Sequence, residues 1–134
     1  MINPIASSLS GLQAASKKAS VAANNIVNAD SVGSLDPNSP NQAYAAQVTV
    51  DKSLGDGSGV ETVTLKRDPP FVPNFEPDSP FANSDGMVNA PNVNVDEELL
   101  NLKKAEQSYQ ANAIAMRAGV QMQDTLAKAL DHKS

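Results

Sequence analysis

From Asn94 to Leu130 the chain runs without a proline, and its apolar and small residues recur at alternating steps of four and three. Val95, Leu99, Leu102, Tyr109, Ala113, Met116, Val120, Ala127 and Leu130 fall on one stripe, broken by the polar Glu106 and Gln123. A stripe of that period predicts one long amphipathic helix. Asn94 can cap its first turn, and Glu97, three residues on, can reach back to complete a capping box. Asp96, Glu97 and Glu98 place negative charge at the positive end of the helix dipole and read as a solvated first turn, while Lys128 and Lys133 lie near the other end. At ~1.5 Å per residue the helix is roughly 55 Å long, longer than a small globular domain is wide. A stripe of that length requires a partner.

The opposite terminus offers one. Ile5, Leu9, Leu12, Ser16, Ala19, Ala23 and Ile26 step by four and three in the same manner, so residues 4–28 read as a second helix, with Pro4 in its first turn. The middle of this stripe is small. Ala15, Ala19 and Ala23 lie four apart, as do Ala111, Ala115 and Gly119 in the last helix. Small residues at that spacing let two backbones approach closely, where many weak dispersion contacts add up. The two helices are therefore expected to pack on each other or on copies of themselves. Asn24, Asn25 and Asn28 close the first helix, because Asn tolerates left-handed backbone and competes for backbone hydrogen bonds.

Residues 30–93 differ in kind. They hold eight of the nine prolines, and nine acids against three bases. Tyr44, Ala46, Val48 and Val50 alternate with polar or small residues, as do Val63 and Leu65. With Gly55, Gly57 and Gly59 between them, they predict a hairpin with a glycine-rich loop. Such a hairpin is marginal unless covered. Phe71, Phe75 and Phe81, set among prolines, are expected to form an extended strap over it. Asp85-Gly86 marks a turn. The fold class is α+β: residues 1–30 and 94–134 are helical arms, an antiparallel coiled-coil-like pair, and residues 31–93 are a small β-rich, proline-rich region.

Little here carries chemistry. The one histidine, His132, lies near the end, and there is no cysteine, so neither a triad nor a thiolate metal site can be built. The Gly55–Gly59 run lacks the lysine and strand-to-helix context of a phosphate loop. Asp78–Gly86 lacks calcium-loop spacing. No catalytic, cofactor or metal site is expected, and the chain does not read as an enzyme. A net charge of −5 argues against nucleic acid as a partner. No apolar run approaches the ~20 residues of a membrane span, and the N-terminus lacks the basic start of a cleaved secretory signal. Aromatics are few and there is no Trp, so an isolated core is thin. The stripes fit an intramolecular helix hairpin and burial against neighbouring copies equally well.

Two stretches add a resemblance. Ala22-Ala23-Asn24-Asn25-Ile26-Val27-Asn28-Ala29-Asp30 resembles the N-terminal signature of the bacterial flagellar rod and hook family, and Ser108-Tyr109-Gln110-Ala111-Asn112 resembles its C-terminal counterpart. Ala90-Pro91-Asn92-Val93-Asn94-Val95, with Pro77–Ala82 and Asp85–Val88 before it, looks like the proximal rod subunits within that family. The short length, with no large inserted domain, agrees. This chain departs from the usual pattern at Val27, Ser79, Met87 and Glu106, the last standing where an Arg often precedes the Tyr.

The resemblance implies a structural subunit of the basal-body rod. It implies export unfolded through the flagellar type III apparatus without signal cleavage, and polymerisation with sibling and other rod subunits. It also implies contact with the adapter that joins the rod to the MS ring. The stripe residues would form the assembly interface: Ile5, Leu9, Leu12 and Ile26 from one helix; Leu99, Leu102, Tyr109, Met116, Val120 and Leu126 from the other. Tyr109 is the expected anchor, being the one aromatic on either helix. Asn24, Asn25, Asn28 and Asn112 would either cap locally or bond across subunits. The alternative is a soluble helical binding module or export adaptor of the same apparatus.

Overall fold

The computed structural model describes residues 3–133; Met1, Ile2 and Ser134, the outer ends of the two expected helical arms, lie outside the described residues. Helix α1 spans Pro4–Val27. Asn3 starts it, its side-chain oxygen accepting from the backbone N–H groups of Ile5 and Ala6, and Pro4 needs no such partner. Asn28 ends it, donating from its side chain to the Asn24 carbonyl at 2.9 Å. Helix α2 spans Val95–Asp131. Asn94 caps it as expected, accepting from the N–H groups of Asp96 and Glu97.

Between the helices lie two separate two-stranded antiparallel sheets. Strands β1 (Gln47–Ser53) and β2 (Val60–Lys66) form the expected hairpin, pairing Val48 with Leu65 and Val50 with Val63. The connection turns through Gly55, Asp56 and Gly57, all at positive φ, where glycine costs nothing sterically. The expected strap is a sheet of its own. Strand β3 (Phe71–Phe75) pairs with β4 (Met87–Pro91) instead of covering β1 and β2. Pro73 is tolerated because a two-stranded ribbon has only edge strands. Gly33 adds a bridge on β4, exchanging backbone hydrogen bonds with Asn89 at 2.9 Å each way.

The helices run antiparallel. A side chain on Gly11 would overlap Asn112, and a Cβ on Gly119 would meet the Ile5 side chain at 3.2 Å. Helix α1 also packs on both β1 and β2. The buried apolar residues are mostly alanines (Ala14, Ala15, Ala22, Ala43, Ala46 and Ala105), with Val21 and Val88. The accessible surface is 8932 Å². A compact folded chain of this mass exposes about 6,700 Å², so this one leaves roughly a third more surface open.

Candidate assembly interface

The contact between the helices is made by the smallest residues. On α1, Ser8, Ala15 and Ala22 recur every seven residues and are buried. On α2, the column Glu98, Ala105, Asn112 and Gly119 has the same repeat and faces them. The large apolar stripe lies one position to the side. Ile5, Leu12, Ile26, Leu102 and Met116 are half-buried on the shoulder of the seam. Leu9, Leu99, Tyr109, Val120 and Leu126 are exposed, Tyr109 by 49% and Leu126 by 61%. Of the two small-residue columns expected at the seam, Ala15 and Gly119 are buried, but Ala111 and Ala115 are exposed. Helix α2 also outruns its partner. Ile5 and Pro4 lie against Gly119, and every described residue from Val120 onward is exposed.

The four asparagines divide. Asn25 is fully buried. Its side-chain nitrogen donates to the Gln47 carbonyl at 2.8 Å, and its oxygen accepts from the Gln47 N–H and the Tyr44 hydroxyl at 3.0 Å each. It thus ties the end of α1 to the start of β1. Burial, and secondarily the charge of Glu98, raises the Tyr44 pKa. This keeps the hydroxyl a donor. Asn28 bonds within its own turn. Asn112 donates to the Ser108 carbonyl at 2.8 Å while its side chain lies against Gly11. Asn24 is exposed.

Glu98 departs from the solvated first turn expected of it. It is 2% exposed and accepts from the Arg67 guanidinium at 2.8 Å. Arg67 also donates to the Asn92 carbonyl at 3.0 Å, and its backbone N–H bonds the Ala46 carbonyl at 2.7 Å. One side chain therefore clamps the end of β2 to the start of α2. Periodicity alone missed Glu98, because its acidic neighbours disguise it. Nearby, Lys18 donates to Asp51, which also accepts from the Thr62 hydroxyl at 2.7 Å. These two bonds lower the Asp51 pKa.

These ion pairs line a polar cavity of about 460 Å³ between α1, β1 and α2. Its Lys18, Asp51, Arg67 and Glu98 charges are engaged with each other. Among the described residues no group of His, Cys, Asp and Glu is placed to hold a metal ion, and no helix is long and apolar enough to cross a membrane. The available surface is apolar and helical. To the expected stripe it adds Leu100, Ile114 and Met122 on α2 and Val27 at the end of α1, all more than half exposed. Leu100, Ile114 and Met122 lie off the single stripe that the four-and-three spacing selects, and so escape it.

Comparison with known proteins meets this surface from the other side. Residues 84–129 match the family model described as the flagellar basal body rod FlgEFG protein C-terminal region. That segment contains β4 and most of α2. The flagellar basal-body rod protein FlgC of Agrobacterium fabrum is 35% identical over 126 residues, covering 91% of this chain and 87% of the relative. FlgC of Salmonella typhimurium is 39% identical over 105 residues, covering 77% and 78%. FlgC of Buchnera aphidicola is 31% identical over 119 residues, covering 84% and 85%. With matches of this identity running through both helices and the β region, the chain belongs to the FlgC family of flagellar basal-body rod proteins.

Proposed function

We propose that this chain is a proximal subunit of the rod, fixed there by its two terminal helices and transmitting torque without chemistry. As a member of its family it is a structural component of the flagellar basal body, assembled with other rod subunits. One observation supports the mechanism: the intramolecular seam uses alanine, glycine and serine, leaving Leu9, Leu99, Tyr109, Val120 and Leu126 at the surface. An exposed apolar stripe of this kind marks an interaction surface.

On this reading residues 1–30 and 94–134 form the inner layer of a tube and residues 31–93 face outward. The exposed stripe residues contact neighbours, with Ile5, Leu12, Ile26, Leu102 and Met116 on the shoulder of that contact. Asn25, Asn28 and Asn112 act within the chain, holding α1 in position, and Asn24 is left for a neighbour. The partners are sibling copies, other rod subunits and the adapter to the MS ring. Delivery is by the type III export apparatus, with the chain unfolded and uncleaved. A thin alanine core suits that route, because most of the ordering energy comes from neighbours.

The test is to delete the gene in the source bacterium, restore a tagged copy and isolate basal bodies. The expected result is restored motility with the chain in the rod by electron microscopy. A chain absent from finished basal bodies but present in a discrete soluble complex would overturn this reading in favour of an export adaptor.

A further inference from the structure

The two flanks of α2 differ in shape and in charge. On one flank Tyr109 and Met116 stand one heptad apart, with Tyr109 beside Leu9 and Leu12 of α1. An open groove of about 560 Å³ runs between Leu9, Leu12 and Tyr109. Glu106 lies on this same flank, three residues before Tyr109, and among the described residues is paired only with the exposed Lys103 and with Gln110. On the opposite flank Lys104, Ala111 and Ala118 recur every seven residues, with Ser108 and Ala115 between them. Lys104 and Ser108 border the polar cavity beside β1. Ala111, Ala115 and Ala118 continue that line beyond it as an exposed path of small side chains.

We propose that neighbouring copies of this chain lie side by side and parallel, with the Tyr109–Met116 flank of one α2 seated on the Ala111–Ala115–Ala118 path of the next. The occupant is a second copy because each helix carries both halves of the contact. Knobs on one flank match a smooth path on the other, and one register satisfies them all: Tyr109 falls over the gap between Ser108 and Ala111, Met116 over the gap between Ala115 and Ala118. In that register Glu106 meets Lys104. Lys104 has no hydrogen-bond or ion-pair partner among the described residues, and the Glu106–Lys103 pair is exposed enough to exchange at little cost. Opposite charges at this position favour the register and penalise its reversal. The contact joins two different faces, so it repeats from copy to copy instead of closing a two-fold dimer. It also accounts for an acid at residue 106. This proposal rests on the rod-subunit reading and adds the faces and register by which copies meet.

The test uses charge exchange and cysteine pairs in the full chain, which has no native cysteine, expressed in cells deleted for their own copy. Lys104→Glu and Glu106→Lys are each expected to lower incorporation into isolated basal bodies about tenfold, by setting like charges face to face. The two together in one chain are expected to restore it. Within a monomer these positions are two apart and face different ways, so a local effect gives no such rescue. Met116→Cys and Ala115→Cys copies, co-expressed and oxidised, are expected to cross-link as a mixture and not separately. Circular dichroism of each purified variant shows whether its helices are intact, and the cysteine pair reads the contact independently of charge.

Self-linking by Met116→Cys alone, cross-linking to a different rod protein, or no rescue by the double reversal in cells that still build rods would each overturn the proposal while leaving the rod assignment intact. Failure of the unmodified chain to enter rods would instead overturn the rod-subunit reading.

Discussion

At the scale of single residues, the junction where α1 ends and α2 begins depends on two buried polar side chains, Asn25 and Glu98. Both are visible in the sequence, but only Asn25 stands out, in a run of asparagines that reads either as local caps or as bonds across subunits. Glu98 sits among acids that are solvated, and nothing local distinguishes it from Glu97. Its partner Arg67 is 31 residues away, a separation that periodicity cannot bridge. Removing Arg67 strands a buried carboxylate, so Arg67→Ala is expected to cost about 3–5 kcal/mol in urea unfolding. The pair Arg67→Met with Glu98→Leu should recover most of that, because no unpaired charge remains. Asp51 makes a smaller, pH-dependent contribution. Its folded pKa is depressed, chiefly by the Lys18 hydrogen bond and then by that of Thr62. The stabilisation is therefore present above the ordinary carboxylate value of about 3.9 and is lost as pH falls through the lower folded value. The pair is partly exposed and salt-screened. Asp51→Asn should lower the denaturation midpoint modestly at neutral pH, with the difference from the parent chain vanishing in strong acid.

At the scale of elements, the two helices, their caps and the β1–β2 hairpin were legible because each has a local period or turn signal. Their existence followed from the four-and-three spacing, from Asn94, and from glycines between alternating strands. The phase of the helix contact was not legible. Small residues are expected at the seam, and the chain does close on Ser8, Gly11, Ala15, Ala22 and Gly119, but Ala111 and Ala115 face away from it and the large Leu9 and Tyr109 stay exposed. Close backbone approach collects many weak dispersion contacts and leaves the large side chains outside the seam. The β3–β4 ribbon was missed because proline disguises an edge strand. The division of labour along the helices predicts opposite outcomes for two substitutions. Gly11→Ala intrudes on Asn112 and should lower monomer stability by about 1–3 kcal/mol, relieved by Asn112→Ala. Tyr109→Ala, half exposed in the monomer, should change monomer unfolding little. It should weaken incorporation into rods by about 2 kcal/mol or more, as loss of an aromatic anchor does. Equal losses in both assays would place Tyr109 in a local core.

At the scale of the whole molecule, the shape is unfinished at one end. The open surface is not spread evenly. From Val120 to Asp131, α2 has no cover from α1, whose first residues reach only as far as Gly119. This overhang of about 18 Å continues the seam column by one heptad, to Leu126, and carries Met122 and Leu130 beside it, each more than 60% exposed. Three turns of helix projecting into water have propensity and a nucleated neighbour in their favour, but no packing, and such a segment alone is marginal. Its amides should therefore exchange rapidly in dilute monomer, while those of residues 98–119, facing α1, exchange slowly, since local opening follows local burial. In isolated rods the protection should extend to the tip, because a neighbour then supplies the missing face. Hydrogen exchange on both forms decides the matter. Strong protection of residues 120–131 in the free chain would mean the tip is stable without cover. Rapid exchange persisting in the rod would mean that Leu126 and Leu130 serve no contact there.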